Sequence, residues 1–181
     1  MVTENKIIEQ TQNWIKNVVI DCNFCPFAAK PFLGNKIRYK VLVDSDESLL
    51  LETLIAEWQL LDNDPEIETS FIIFQSGFED FADYLEMLYT AEELLADEDY
   101  EGIYQLASFH PKYCFHGSHK DDASNYTNRS IYPMIHILRE ESLSKAIATF
   151  PEVDQIPERN INFANEKGIK YMQALRASAL I

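Results

Sequence analysis

All four histidines of the chain fall within 27 residues, among other side chains that could support chemistry. These histidines and their neighbours are His110, Cys114, His116, His119, Asp121, Asp122, Arg129, His136 and Arg139. Imidazole, thiol, carboxylate and guanidinium groups bind metals, transfer protons or hold anions. Residues 110–132 lack a helix or strand pattern, and a compact domain seldom keeps a structureless loop of about 20 residues unless it is functional or disordered. The many aromatic residues argue against disorder, so we expect a functional loop at 110–132.

His136 and Arg139 are predicted to lie in the first two turns of a helix over residues 133–149, with Pro133 in its first turn. Apolar residues recur there at helical spacing, and Arg139 falls near the middle of the apolar face. A guanidinium on an inward face is costly unless it is paired, and the N-terminal end of a helix favours anions. We therefore expect His136 and Arg139 to hold a phosphate or carboxylate group. An internal salt bridge of Arg139 is the alternative.

Arg129 and His110 extend this interpretation. Arg129 could add a second cation, because guanidinium groups make bidentate contacts with anions; an exposed loop arginine is the alternative. His110 directly follows a predicted strand, and ligands of open α/β sheets bind beyond the carboxyl ends of strands. Histidine suits general acid–base catalysis near neutral pH. The alternative for His110 is a histidine that caps the end of the strand by hydrogen bonds.

The same stretch offers suitable groups for a metal ion, which is the second interpretation. Its ligands would come from His110, His116, His119 and Asp121, with Cys114 between them. Their spacing matches no strong metal-ligand motif, and the chain has no second C-x-x-C. The cofactor, if any, stays open.

Cys22 and Cys25 form a C-x-x-C that follows a predicted helix, whereas in redox domains the motif follows a strand. Pro26 at a first helical position would place Cys25 at an N-cap, where the helix dipole lowers the pKa of a thiol. Cys25 is therefore a candidate nucleophile if the fold brings it to the site. A buried structural cysteine is the alternative.

Composition excludes several classes of partner. Thirty acidic against 15 basic residues give a formal charge of −15, which argues against binding nucleic acid or an anionic membrane surface. No apolar run reaches the roughly 18 residues of a membrane span, and the N-terminal residues lack the features of a signal peptide. Three cysteines are too few for a disulfide framework. We expect one cytoplasmic domain over residues 1–181, while no feature indicates an oligomeric state.

The elements that must position these residues alternate between helix and strand. The pattern predicts an N-terminal helix at 4–20, a βαβαβ core at 37–109, and C-terminal helices within 133–178. Crossover connections would make the three core strands parallel. The expected fold class is therefore α/β, with a three- to four-stranded sheet packed with about five helices. A fourth strand near 113–116 would make the sheet mixed, so an α+β, ferredoxin-like arrangement stays open.

Four motifs closely resemble those of a bacterial family catalogued as domain of unknown function 1415. They are Cys-Pro-Phe-Ala at 25–28, Phe-His-Pro at 109–111, Asp-x-x-Asn-Tyr-Thr-Asn-Arg-Ser at 122–130 and His-x-Leu-Arg-Glu at 136–140. The resemblance covers nearly the whole chain and implies functional positions at Cys25, His110, Asp122, Asn125, Asn128, Arg129, His136 and Arg139. Cys22 and Cys114 depart from the family pattern, which weakens the redox and Cys114-ligand interpretations. The resemblance names no reaction.

Together these patterns favour an enzyme or a binding protein for a small anionic metabolite. Arg129, Arg139 and His136 would bind the anion, with Asn125 and Asn128 beside them. His110 would act as general acid or base, Asp122 would orient a histidine or an arginine, and Cys25 could be a nucleophile. A non-catalytic interaction module with an acidic surface is the third interpretation.

Overall fold

Four strands form one mixed sheet in the computed structural model, which describes residues 2–44 and 46–181. Strand β1 (Ile37–Leu42) pairs in parallel with β2 (Thr69–Phe74). Strand β4 (Met134–Arg139) lies between β2 and β3 (Tyr104–Phe109) and is antiparallel to both. The order is β1-β2-β4-β3, so β3 runs in the same direction as β1 and β2 without pairing with either strand.

Seven α-helices surround this sheet in the described part of the chain. They are α1 (Glu4–Trp14), α2 (Ala29–Leu33), α3 (Glu47–Asn63), α4 (Phe81–Asp97), α5 (Glu140–Ala148), α6 (Ile156–Lys167) and α7 (Ile169–Ala177). Side-chain caps at Thr3, Asp46 and Asp80 accept from the first-turn N–H groups of α1, α3 and α4, which otherwise have no intrahelical partner. No helix in the described residues is both long and apolar enough to cross a membrane.

Both faces of the sheet are covered, which explains why β2 is buried at all six positions. On one face, α3 and α4 pack through a cluster centred on Trp58 and Tyr84. On the other, α1, α6 and α7 pack with part of the 110–132 loop in a cluster centred on Trp14. The fold is therefore α/β with a small mixed sheet, as the alternating pattern predicted.

The prediction of a helix over 133–149 is wrong, because residues 134–139 form the fourth strand and the helix begins at Glu140. No strand lies at 113–116. A short apolar run such as Met134–Leu138 fits either a buried strand or a helix by periodicity alone. Because β4 is central and both its faces are covered, its residues are apolar on both sides, and the helical spacing was a coincidence.

This correction separates His136 from Arg139. Successive side chains of a strand point to opposite faces, so His136 faces the α1 layer while Arg139 faces the α3/α4 layer. The expectation that they share one helical face is therefore wrong. The parallel-sheet expectation holds for β1 and β2, but β4 separates β2 from β3.

Candidate functional site

A cavity of about 300 Å³ lies on the α1 face of the sheet. Its floor is formed by inward side chains of all four strands: Ile37, Thr69, Phe71, Ala107, Phe109, His136 and Leu138. Its walls come from Trp14, Ile15, Val19, Cys25, Phe27, Ala28, Pro31, Leu143 and Ala146. The wall is predominantly apolar with a few polar groups, which is the usual composition of a small-molecule site.

His136 is the polar centre of the cavity floor. Its ring stacks on Phe71, with centroids 3.9 Å apart and planes 6° from parallel, because the two residues are direct partners across β2 and β4. On its other side the partner is Ala107 of β3. The small alanine side chain leaves space beside the imidazole, and that space is part of the cavity.

The hydrogen bonds of Thr69 fix the tautomer of His136. Thr69 Oγ1 donates its one proton to the carbonyl of Ile137, since a carbonyl can only accept. The 2.6 Å contact between Thr69 Oγ1 and His136 Nε2 therefore has Nε2–H as its donor. The proton is on Nε2, and Nδ1 carries a free lone pair. Nδ1 makes no hydrogen bond within the described residues and is not among their solvent-shielded unpaired atoms, so it is open to the cavity.

Burial lowers the pKa of His136 to about 3. A charged imidazolium in an apolar wall would lose its hydration without gaining a carboxylate partner. At neutral pH the ring is therefore uncharged, and Nδ1 acts as a hydrogen-bond acceptor. Such an atom attracts a hydroxyl, an amide N–H or a protonated acid, and it repels the oxygen of a carboxylate.

Cys25 lines the same cavity as His136. Burial raises the pKa of its thiol, although the backbone N–H groups of Phe27 and Ala28 partly offset this effect. The thiol is therefore protonated at neutral pH. Since the thiol and His136 are both neutral, the pair differs from the thiolate–imidazolium arrangement that activates catalytic cysteines.

An irregular helical turn shapes the wall opposite the sheet. Residues Ile15–Ile20 continue α1 as a π-helix, an arrangement that is rare and frequent at functional sites. Ile15 and Val19 from this turn, with Trp14 before it, face the cavity. The indole Nε1 of Trp14 donates to the carbonyl of Arg129 at 3.1 Å, which ties this wall to the 110–132 loop.

Charged side chains border the cavity towards solvent. Lys30 is exposed, and Lys36 is half-buried and pairs with the exposed Glu66 at 3.3 Å. Glu68 borders the same region, and none of the ion pairs among the described residues involves Glu68 or Lys30. Two lysines and two carboxylates therefore meet at this rim, so its cations are not outnumbered, although the whole chain has a formal charge of −15.

Helix α5 forms the remaining wall without being buried itself. It has no fully buried residue. Ser142, Leu143 and Ala146 face the cavity from successive turns, whereas Ala148 is exposed and outside it. Helix α5 contacts β4, and it closes the cavity beside that strand.

His110, the predicted acid or base, does not reach this cavity. It is fully buried, and its Nε2 lies 2.8 Å from the carbonyl of Phe78 while its Nδ1 accepts from the N–H of Lys112 at 2.9 Å. Nε2 must therefore carry the proton, and both ring nitrogens are satisfied. Burial also lowers the pKa of His110, so the ring is a neutral link between the end of β3 and the segment before α4. This geometry corresponds to the strand-capping alternative.

Asn125, Asp122 and Asn128 organise the loop internally. Asn125 is fully buried: its Oδ1 accepts from Phe115 N–H and Ser118 Oγ, both at 2.9 Å, and its Nδ2 donates to His119 O at 2.9 Å. Asp122 accepts from Ser124 N–H at the start of the short 3-10 helix Ala123–Thr127. Hydrogen bonds from the backbone and side chain of Ser124 lower the pKa of Asp122. Asn128 Oδ1 accepts from Thr127 Oγ1. None of the three lines the cavity.

Two arginines expected at one anion site are held apart. Arg129 Nε donates to Tyr113 O at 2.9 Å and Nη2 to Lys120 O at 2.7 Å, within the loop. Arg139 is one of the residues that line the cavity, but its guanidinium lies on the α3/α4 side of the sheet. It donates to the carbonyls of Leu61, Asp64 and Ile67 and to Tyr104 Oη. These carbonyls lie at and just beyond the C-terminal end of α3, where a cation is favoured.

The residues suggested as metal ligands are not brought together in the structure. Within residues 2–44 and 46–181, no group of three or more His, Cys, Asp or Glu side chains is placed to hold a metal ion. His110 is buried and hydrogen-bonded, while His116 and His119 are exposed. The nearest carboxylate pairing is between His119 Nδ1 and Asp121 at 3.6 Å, with both side chains exposed.

Of the residues predicted from the sequence, Cys25, His136 and Arg139 line the cavity, whereas most of the residues around them were missed. Thr69, Phe71 and Ala107 were hidden because they look like ordinary strand residues. Lys30 and Lys36 could have been found from the sequence. They are two basic residues within a span of seven, shortly after the Cys-Pro-Phe-Ala motif, in a chain that is otherwise acidic.

A family model described as "Protein of unknown function (DUF1415)" matches residues 6–174. No curated protein and no solved structure matches the chain.

Proposed function

The chain belongs to the DUF1415 family of proteins of unknown function, and from its cavity we propose that it binds a small amphipathic molecule. This molecule has an apolar body, a hydrogen-bond donor at its inner end and an anionic group at its outer end. The observation that carries the proposal is the free Nδ1 of His136 on the floor of an apolar cavity whose rim holds Lys30 and Lys36.

The body of the ligand is inferred from the wall. Aliphatic and aromatic side chains dominate the lining, and moving apolar surface from water into such a cavity contributes about 25 cal/mol per Å². A cavity of about 300 Å³ is at the lower end of the range of roughly 300–1,000 Å³ for small-molecule sites. The ligand is therefore a short acyl chain or a single ring system rather than a large cofactor.

The two ends of the ligand follow from different electrostatic settings. At the inner end, neutral His136 offers a lone pair in a desolvated wall, so an anion placed there would be repelled and a donor would be held. At the rim, Lys30 is solvent-accessible and Lys36 has an exposed carboxylate partner that a ligand anion could replace. We therefore still propose an anionic ligand, as the sequence suggested. Its charged group would contact the two lysines instead of Arg129, Arg139 and His136.

Binding is favoured over covalent catalysis. A nucleophilic cysteine needs a lowered pKa or a basic neighbour, whereas here the pKa of Cys25 is raised and that of His136 is lowered. All three cysteines are free, which supports a reducing compartment such as the cytoplasm.

Three matched probes test the proposal by titration calorimetry at pH 7 and constant ionic strength. The first is 8-hydroxyoctanoate, with a donor and an anion; octanoate lacks the donor and 1,8-octanediol lacks the anion. We expect 8-hydroxyoctanoate to bind tightest and each deletion to weaken binding by about 3- to 5-fold, the usual worth of one hydrogen bond or a partly exposed ion pair.

The variant His136→Phe separates specific recognition from general apolar binding. Phenylalanine keeps a flat ring on Phe71 and removes Nδ1. We expect the advantage of 8-hydroxyoctanoate over octanoate to disappear, while octanoate itself binds as before. His116→Phe, at an exposed position outside the cavity, is the control and should keep the wild-type order. Equal binding of all three probes by the wild type, or no binding of any of them, would refute the proposal.

A further inference from the structure

Two arginines outside the cavity lie together without an acidic partner. Arg176, on α7, donates from Nε to the carbonyl of Ser130 at 2.6 Å, so it is anchored at the residue that follows Arg129. The guanidinium of Arg129 lies 4.8 Å from the centroid of the Tyr126 ring. Helix α7 contacts the 3-10 helix Ala123–Thr127 of the loop, and Arg129 is near enough to act electrostatically on Arg176, so the loop and α7 bring the two arginines into one neighbourhood.

No carboxylate neutralises this pair. Among the described residues, none of the ion pairs with N···O within 4.0 Å includes Arg129 or Arg176. Burial lowers the pKa of Arg176, and the positive charge of Arg129 adds to this effect, while Tyr126 opposes it. Although the chain has 30 acidic residues, these two half-buried neighbouring cations therefore keep a positive charge that an anion from outside can neutralise.

The pair also has unused hydrogen-bond donors. A guanidinium carries five N–H donors. Arg129 uses one N–H at Nε and one at Nη2 for backbone carbonyls, which leaves three. Arg176 uses Nε alone, which leaves four. Nη1 of Arg129 and both Nη atoms of Arg176 make no hydrogen bond to the described residues and are not among their solvent-shielded unpaired atoms, so these three atoms are exposed to solvent.

We propose that Arg129 and Arg176 form a second binding site, separate from the cavity, for a tetrahedral oxyanion such as phosphate or a phosphate monoester. Neither residue lines the cavity. Two guanidinium forks match a dianion with several acceptor oxygens, whereas a carboxylate is satisfied by one fork. The backbone bonds at the Nε atoms hold both forks in place before the anion arrives, which limits the entropy lost on binding.

Inorganic phosphate is the probe, measured by the shift of thermal unfolding and by calorimetry, with sodium chloride added to keep ionic strength constant. We expect saturable binding by the wild type and a loss of affinity of about 10-fold in Arg176→Gln, because a bidentate charged contact disappears. Arg159→Gln is the matched control: Arg159, on α6, also donates to a backbone carbonyl, and its replacement should change the affinity less than about 2-fold, as a screened remote charge does.

Each alternative outcome has a defined meaning. If Arg176→Gln fails to fold by circular dichroism, Arg176→Lys replaces it, and a charge without the planar fork should weaken binding by about 3-fold. Wild-type affinity in the folded Arg176 variant, or stabilisation by phosphate no greater than by sodium chloride, overturns the site. Acetate binding as tightly as phosphate overturns the ligand class. The Ala146→Leu variant, which fills the cavity, should keep phosphate binding, so the two proposals can fail separately.

Discussion

The 110–132 loop is rich in polar side chains and the cavity is mainly apolar, but the unused hydrogen-bonding atom that could recognise a small molecule lies in the cavity. The loop holds three of the four histidines together with Asp122 and Asn125, yet the buried polar atoms of His110 and Asn125 bond to nearby backbone and side chains. The cavity is mainly apolar, but His136 keeps an unused nitrogen facing its empty space.

Two histidines, His110 fully buried and His136 half-buried, show what separates a structural group from a binding group. His110 and His136 are both neutral, and both carry the proton on Nε2. At His110, Nδ1 accepts a backbone N–H, so nothing remains for a ligand. At His136, Nδ1 has no such partner. The type of residue is the same, and the number of unused hydrogen-bonding positions decides the role.

The largest expected effect comes from a substitution that removes hydrogen bonds inside the 110–132 loop. Asn125→Ala removes a fully buried amide that satisfies three partners, and each partner left unpaired costs about 1 kcal/mol or more. We expect the free energy of unfolding in urea to fall by about 3 kcal/mol. Asn128→Ala should cost less than about 1 kcal/mol, because its side chain makes one local bond. A stable Asn125→Ala protein that no longer binds 8-hydroxyoctanoate would instead make the loop part of the site.

The second effect is acid destabilisation through His136. The ordinary pKa of histidine is about 6.5, and that of folded His136 is about 3. Between these values the unfolded chain binds a proton that the folded chain does not, so stability is lost as the pH falls below about 6.5. From pH 6.5 to 4.5 this amounts to about 2 kcal/mol. Urea unfolding at both pH values should show that His136→Phe loses about 2 kcal/mol less than the wild type. His116→Phe should behave as the wild type, and equal losses in both variants would contradict the burial of His136.

A third prediction fills the cavity. Ala146→Leu places three further carbon atoms in the cavity from α5, whereas Ala148→Leu adds the same atoms to an exposed position of the same helix. We expect Ala146→Leu to weaken binding of 8-hydroxyoctanoate by at least about 10-fold through steric exclusion. Ala148→Leu should leave it unchanged. Calorimetry measures the affinity of both variants for 8-hydroxyoctanoate, and equal affinities would mean that the ligand binds outside the cavity.

The smallest expected effect tests the two lysines at the rim of the cavity. Lys30→Gln or Lys36→Gln should weaken 8-hydroxyoctanoate by about 3-fold, since a solvent-screened ion pair contributes about 0.2–1 kcal/mol. The loss should shrink at high salt. Neither variant should change the affinity for 1,8-octanediol, which carries no charge. Lys16→Gln, at an exposed position outside the cavity, is the control, and an equal loss there would indicate a general charge effect.

Much of the fold could be predicted from the sequence because local pattern and burial agree there. Helices α1, α3 and α4 have periodic apolar faces and side-chain caps, and β2 is apolar throughout. Strand β4 could not be predicted in this way. Its apolar residues suit a strand covered on both faces and a helix equally well, and its position between β2 and β3 depends on pairing over more than 60 residues of chain.

The site was predictable to the extent that its chemistry lay in unusual residues. Cys25, His136 and Arg139 stand out in the sequence, and all three line the cavity. The partners of Asn125, Arg129 and Arg139 are mostly backbone carbonyls and N–H groups, which are the same at every position of a sequence. Whether a polar residue is already satisfied therefore becomes visible when the backbone is in place.

The most direct test is nitrogen NMR of the histidine rings in protein labelled with ¹⁵N-histidine, with and without 8-hydroxyoctanoate. We expect His110 and His136 both to appear as Nε2–H tautomers at pH 7. On saturation, Nδ1 of His136 should shift in the direction of a newly accepted hydrogen bond, while Nδ1 of His110, already bonded to Lys112, should not move. An unchanged His136 Nδ1 in the presence of bound probe would contradict the account, because the ligand would then be held without the atom on which the proposal rests.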